Sequence, residues 1–146
     1  MSGSIHRVVL ADLPTPLFDA TLGYLGDVLR ECQLVLLGRE QGAEVDPDLA
    51  TLAEGLVPDL EELRGRFQAA DIIGQDGHRT VAVDLRSTDA GTLAHLHVQL
   101  AQLRFVGRRG GVLVAADPAV TQVLAWVRDE AAEQLNGRAA RPFRAV

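Results

Sequence analysis

The sequence predicts a single α/β domain over residues 1–146, with a small three- to four-stranded sheet, at least partly parallel, covered by four or five helices. Short strand-like segments alternate along the chain with long stripes of leucine at helical spacing. The last two predicted strands flank a helix of about 15 residues, which suits a right-handed parallel crossover. With 146 residues, 47% of them hydrophobic, the chain can bury a core without a disulfide or a metal.

The first predicted elements are a strand and a long helix. The strand is predicted at Arg7–Asp12, and Thr15 followed by Pro16 is typical of a helix start. Gly38 and Gly42 are expected to end this helix. Its predicted core stripe repeats at spacings of three and four: Phe18, Leu22, Leu25, Leu29, Cys32 and Leu36.

The next helical region begins with a second cap-and-proline pair at residues 46–47. Gly55 and Pro58 interrupt its stripe, so we expect two helices or a kink near Val57. The segment Gly74–Gly77 is typical of a turn. The stripe itself contains Leu49, Leu52, Leu56, Leu60, Leu63 and Phe67.

The second half alternates strand and helix. Strands are predicted at Thr80–Leu85 and Val112–Ala116, and Ser87–Asp89 offers a helix cap between them. The final helix is expected to end before Gly137, and the tail is expected to pack back through Phe143. The helix between the two strands has a core face of Leu93, Leu96, Leu100 and Leu103, and that of the final helix is Val120, Leu124, Val127, Ala131 and Leu135.

Composition excludes several classes of partner and environment. The net charge of -6 and the pI of about 5.1 argue against nucleic acid and anionic membranes, because both ligands are negatively charged. The sequence contains no run of about 18 apolar residues, so no membrane span is predicted. The single cysteine, Cys32, cannot form a disulfide within the chain, and no signal peptide is recognised at the N-terminus, so we expect a cytoplasmic protein.

The residues whose side chains could take part in catalysis or metal binding do not form a recognisable catalytic site. The sequence contains no lysine, which excludes a Walker phosphate loop, a Schiff-base enzyme and the lysine of response-regulator receivers. His95 and His97 are predicted to lie on a helix, where residues two apart point in different directions and cannot chelate one metal. Cys32 is expected to be a buried, inert thiol. We therefore predict a protein that is not an enzyme and needs no cofactor.

The candidate site lies where the predicted strands end. Asp12 and Asp84 follow two strands at the edge where α/β sheets collect ligands, so these residues are expected to lie close together. The carboxylates suit Mg²⁺ or phosphoryl transfer, but without a lysine capping and turn roles are favoured. Asp89 and Asp117 are expected to cap helices. This leaves the tentative partner-binding residues Asp84, Arg86, Ser87 and Thr88. Together with Asp89 they are expected to be solvent-accessible, and the loop at Asp117 is expected at the same edge of the sheet.

Most of the chain resembles a domain of actinobacterial signalling proteins that accompanies kinase-like anti-sigma ATPases and their phosphatase relatives. The resemblance rests on an N-terminal Leu-Pro element and on Leu29–Leu34, Leu124–Glu130, Gln134–Gly137 and Arg141–Phe143. It implies a regulatory role in signalling and supplies no catalytic residues.

A second resemblance covers Arg79–Leu124, which is similar to part of a STAS domain. STAS domains are anti-sigma antagonists that change partner when a serine before a glycine is phosphorylated. Here Ala90 stands where that serine is expected, and the loop after Asp84 is shorter, while Ser87 and Thr88 lie nearby. Both resemblances imply partner switching among sigma-factor regulators.

The sequence thus favours a non-catalytic regulatory or protein-interaction domain of bacterial signal transduction. The alternative is a small-molecule sensor with an apolar pocket between helices and sheet. The run Leu34–Leu37 is wider than one helical face and leaves apolar surface for a homodimer.

Overall fold

The computed structural model describes residues 4–110 and 116–145. In these ranges three strands and four helices follow one another in the order strand, two helices, two strands, two helices. Their bounds are β1 Ile5–Pro14, α1 Thr15–Glu40, α2 Pro47–Gln68, β2 Asp71–Gln75, β3 His78–Arg86, α3 Asp89–Gly110 and α4 Pro118–Leu135. The α/β class is confirmed, and the described residues form four helices and one three-stranded sheet.

The sheet is antiparallel over its described strands, so the predicted parallel arrangement is wrong there. Its order is β1-β3-β2, with Arg7 opposite Asp84 and Ile73 opposite Thr80. The parallel prediction depended on the strand Val112–Ala116, of which residues 111–115 lie outside the described part of the chain. β2 runs antiparallel to β3 because a tight hairpin joins the two strands. β1 pairs with the other side of β3 and is also antiparallel to it.

That hairpin also accounts for β2, which the sequence analysis did not predict. Asp76 and Gly77 form its two-residue loop, and both have positive φ, 49° and 77°. Two central residues with positive φ are the signature of the type I′ turn that joins antiparallel strands. All five residues of β2 are exposed, so it has no alternating apolar pattern that would reveal it.

The long helices begin where predicted, but they continue through positions at which the sequence predicted an end or an interruption. α1 starts at Thr15 and runs past Gly38, and α2 is one continuous helix through Gly55 and Pro58, so a division into two helices is wrong. A proline removes only one backbone donor, and the buried leucines of α2 hold the helix on both sides of it. A side chain at Gly55 would lie 2.8 Å from the Gln99 amide, so glycine permits the close approach of α3.

The core lies on one face of the sheet, against the helices. Val8 and Leu10 of β1 and Val81, Val83 and Leu85 of β3 alternate into it and are almost fully buried. The predicted faces of α2 and α3 are buried as expected. In α1 the predicted stripe faces the core except at Leu22, which is about half-exposed. The buried face is wider than predicted and also includes Thr21, Tyr24 and Val28.

The C-terminal tail packs back onto the fold, as predicted. Phe143 is buried beside Leu13 and Val123, and its ring meets Trp126 edge to face at a centroid distance of 5.3 Å. Gly137 follows α4 with a φ of 90°, the left-handed conformation expected at this position. None of the described helices combines the length and the apolar character needed to cross a membrane.

Candidate functional site

The four predicted partner-binding residues lie together at the junction of β3 and α3. Asp84 and Arg86 are near the end of β3, and Ser87 and Thr88 connect it to α3. All four side chains are exposed. We call these four residues the corner surface. The accessibility of these four residues agrees with the sequence prediction, but Asp89, which was also expected to be accessible, is buried. The binding role of the corner surface stays a prediction.

The frame beneath the corner surface is a buried ion pair. The carboxylate of Asp89 accepts a 2.6 Å hydrogen bond from the backbone N–H of Arg86, and Arg66 Nε of α2 lies 3.4 Å away. Asp89 is almost fully buried and Arg66 largely so. Because a buried charge without a partner is costly, this contact links α2, β3 and α3, although Arg66 Nε forms an ion pair and no hydrogen bond.

The capping role predicted for Asp89 differs from the one observed. Asp89 is already the first residue of α3, and its carboxylate reaches back to Arg86 instead of forward to the helix. Asp117 does cap α4 as predicted, accepting a 2.8 Å hydrogen bond from the backbone of Ala119. Asp89 is therefore a structural residue of the corner.

Asp84 shares a cation with a second carboxylate on the open face of the sheet. Arg7 lies opposite Asp84 across the β1–β3 pair, with 3.2 Å between Nη1 and Oδ1, and also forms an ion pair with Asp71 of β2. Hydrogen bonds to Asp71 and then to Asp84 raise the pKa of the Arg7 guanidinium above its usual value. The one positive charge of Arg7 is thus shared by Asp71 and Asp84 and only partly balances each carboxylate.

A shallow notch adjoins the corner between the end of α2 and β3. It is lined by Glu62, Gly65, Arg66, Ala69 and Asp84. Arg66 Nη2 donates a 3.1 Å hydrogen bond to Glu62, so this guanidinium bridges two carboxylates of different elements. The notch offers a partner polar and charged groups instead of an apolar cavity.

Asp12 does not join the corner, contrary to the sequence prediction. Its backbone N–H donates to Thr80 Oγ1 at 3.2 Å, in a bulge where Asp12 has a φ of 60°. Asp84 lies four positions after Thr80 on β3, about 13 Å along a strand. The antiparallel pairing of β1 and β3 places the two carboxylates near opposite ends of the sheet and excludes an acidic pair.

Asp117 is also distant from the corner. Arg104 Nη2 donates to Thr121 in the first turn of α4 at 3.1 Å, and Arg104 lies fifteen residues after Asp89 in α3. Fifteen residues of α-helix extend about 22 Å. The expectation that the loops before α3 and α4 lie together at one edge of the sheet is therefore wrong.

The remaining candidate groups are arranged as the sequence indicated. Cys32 is buried in α1, and burial raises the pKa of its thiol to about 11, which disfavours the reactive thiolate. His95 and His97 both lie on α3. No group of three or more metal-ligating side chains occurs in the described ranges.

Neither of two concavities among the described residues is the apolar pocket that the sensor alternative predicts. Besides the notch, an open concavity lies near the β2–β3 hairpin. It is lined mainly by polar side chains, including Asp12, Asp76, His78 and Thr80.

The two outer edges of the sheet differ in a way that the sequence patterns did not predict. On the outer edge of β1, the Gln134 side chain of α4 accepts from Val9 N at 2.8 Å and donates to Val9 O at 2.7 Å. Phe143 N donates to Ala11 O at 2.9 Å. The outer edge of β2 has no such cover among the described residues. The Asp76-Gly77 pair was the sequence signal that could have revealed this hairpin.

Comparison of the chain with protein-family profiles, curated proteins and solved structures gave no match in any of the three.

Proposed function

We propose that the protein is a non-catalytic, cytoplasmic protein-interaction domain of bacterial signal transduction, with the corner surface as its contact site. One observation carries this proposal: four exposed polar side chains stand on a frame fixed by the buried Asp89–Arg66 pair. Binding surfaces of this kind lose little conformational entropy on association because their backbone is already ordered.

The chemistry of the corner surface suits a polar protein partner. Arg86 supplies a cation, Ser87 and Thr88 supply hydroxyl groups, and Asp84 supplies a carboxylate that Arg7 partly neutralises. Exposed hydroxyl groups beside an arginine also suit regulation by phosphorylation, since a phosphate adds about two negative charges at such a position. The more specific proposal is that phosphorylation of Ser87 or Thr88 makes the domain exchange one protein partner for another.

The resemblance to domains that accompany kinase-like anti-sigma ATPases supports an ATPase of that class, or a phosphatase relative, as the partner. The acidic net charge of -6 favours a protein partner over nucleic acid.

The first experiment identifies the partner by photo-cross-linking from one defined position of the corner surface. A photo-reactive amino acid replaces Ser87 in the full chain, and cross-linked proteins from an actinobacterial host are identified by mass spectrometry. The matched control carries the same group at Thr51, which is exposed on α2. We expect a kinase-like ATPase or phosphatase relative to be captured from Ser87 only. Equal capture from both positions would contradict a contact at the corner.

The second experiment measures binding of the purified partner. The double variant Ser87→Glu, Thr88→Glu should weaken binding at least about tenfold, equivalent to about 1.4 kcal/mol, while the melting temperature stays near that of the wild type. Ser4→Glu, Thr51→Glu makes the same charge change at two exposed positions elsewhere and should bind normally. Unchanged binding by the corner variant would refute the proposed surface. A small apolar compound that raises the melting temperature would favour the sensor alternative.

A further inference from the structure

The two edges of the sheet are built differently, and the difference concerns backbone groups. Gln134 and Phe143 occupy the outward-facing groups of Val9 and Ala11 on β1. In β2, residues 71, 73 and 75 face β3 across the two-residue hairpin, so Ile72 and Gly74 direct their N–H and C=O groups outward. Nothing in the described ranges hydrogen-bonds to this outer edge.

The open edge also lacks the features that normally prevent strand pairing. Proteins protect such edges with lysine, proline, bulges or inward-pointing charges. β2 is short, at five residues, but it has no lysine, proline or bulge over Asp71–Gln75, and Arg7 partly balances its one charged residue, Asp71. Ile72 and Ile73 are 48% and 64% exposed. An apolar, unprotected edge beside a closed one indicates a pairing surface.

We propose that this edge pairs with β2 of a second copy of the chain, antiparallel about a two-fold axis at Ile73. The resulting six-stranded sheet would join the two copies through about four backbone hydrogen bonds, exchanged between Ile72 and Gly74 of opposite copies. This inference does not depend on the proposed function, because it uses no residue of the corner surface.

Self-complementarity selects the second copy and this register. With Ile73 opposite Ile73 of the second copy, Asp71 faces Gln75 of the second copy, so like charges never oppose each other. A register centred on Ile72 would place Ile73 opposite Asp71. One centred on Gly74 would place two glycines together and lose the contact between isoleucines.

The pairing also makes use of Gly74. A side chain there would lie 2.6 Å from Arg79 Nη1, so the guanidinium of Arg79 lies across the glycine. In the proposed register Ile72 of the second copy lies beside Gly74 and would pack on this flat group. Two five-residue strands make a small interface relative to the about 1,200 Å² of standard ones, so we expect a dimer that dissociates on dilution.

Cysteine cross-linking tests the register directly. Residues facing each other outside the hydrogen-bonded pairs have Cα atoms about 4.5 Å apart, which is within disulfide range. Ile73→Cys should therefore form a disulfide-linked dimer rapidly under mild oxidation, while the buried Cys32 does not react. Gln75→Cys alone should not cross-link rapidly, but a mixture of Asp71→Cys and Gln75→Cys should. Equal rates for Ile73→Cys and Gln75→Cys would overturn the proposal.

Light scattering tests the association of the unmodified chain from about 10 µM to about 1 mM. The wild type should show a concentration-dependent dimer, and Ile73→Lys should be monomeric with an unchanged melting temperature. Ile5→Lys is the matched control, because Ile5 is 66% exposed on the same face but lies on β1, and it should dimerise normally. A wild type that is monomeric throughout, or a dimer that persists in Ile73→Lys, overturns the proposal. The first result would leave the edge for an extended segment of another protein.

Discussion

Gln134 occupies the position of a neighbouring strand for Val9: its side-chain amide both donates to and accepts from the backbone of that one residue, at 2.7 and 2.8 Å. Its nitrogen also donates to the buried carboxylate of Glu130 at 2.9 Å, and Glu130 accepts from the backbone N–H of Arg141 at 2.8 Å. Helix α4 and the tail thus close the edge of β1 through one connected set of hydrogen bonds.

Gln134→Ala should lower the free energy of unfolding by about 1–3 kcal/mol, because the partly buried N–H and C=O groups of Val9 lose their partner. Gln122→Ala makes the same change in α4 at a half-buried residue without a side-chain hydrogen bond to the described residues, and should cost much less. Urea denaturation measures both values. Equal losses would show that Gln134 does not act through the strand edge.

Phe143→Ala should cost about 3 kcal/mol, since it removes a buried ring from between Leu13, Val123 and Trp126. Trp126 is the only tryptophan of the chain, so its emission should also shift to longer wavelength as water reaches it. Phe105→Ala removes a ring that is 82% exposed and should change neither the stability nor the spectrum. An unchanged spectrum in Phe143→Ala would contradict the docking of the tail.

Asp89→Ala should destabilise the fold by about 3 kcal/mol, because it leaves the Arg66 charge and the Arg86 N–H without their buried partner. Asp89→Asn keeps an acceptor for that N–H and should cost less. Asp84→Ala breaks an ion pair at the surface and should leave the free energy of unfolding nearly unchanged. Thermal unfolding compares the three variants, and similar melting temperatures for Asp89→Ala and Asp84→Ala would contradict the structural role of Asp89.

His97 should contribute to acid sensitivity. Partial burial, followed by the charges of Arg128 and Arg104, lowers the pKa of His97 in the folded protein below its ordinary value of 6.5. The unfolded chain therefore binds a proton first, and stability is lost as the pH falls from about 7 through that lowered pKa. His97→Gln should flatten the pH dependence of unfolding in this range. Parallel pH profiles for wild type and His97→Gln would refute the assignment.

Local sequence patterns predicted the helices well. Thr15-Pro16, Asp46-Pro47 and Asp117-Pro118 each mark an observed helix start, because capping and the fixed φ of proline act within one turn. Asp46 and Asp117 cap their helices as predicted, whereas Thr15 is the first residue of α1 and forms no capping hydrogen bond. The buried leucines of α2 and α3 follow the helical period because residues three and four apart lie on the same face of a helix. The location of Ser87 and Thr88 in an exposed connection was likewise predictable from local signals alone.

Strand direction and partners depended on the tertiary structure. The corner residues near Asp84 were grouped correctly with one another but wrongly with Asp12, since that grouping required a parallel sheet. The amide of Gln134 lies 125 residues from Val9 in sequence, and no local pattern indicates that a helical glutamine completes a strand edge.

By itself the sequence determined where the helices begin, which helical faces are apolar and which polar residues occupy a connection, because these features depend on neighbours within a few residues. Only the tertiary structure decided that β3 lies between two antiparallel strands, that Asp89 pairs with Arg66 and that one edge is closed while the other is open. The reason is physical: backbone hydrogen bonds and buried charges are satisfied by whichever partners the complete fold brings within reach.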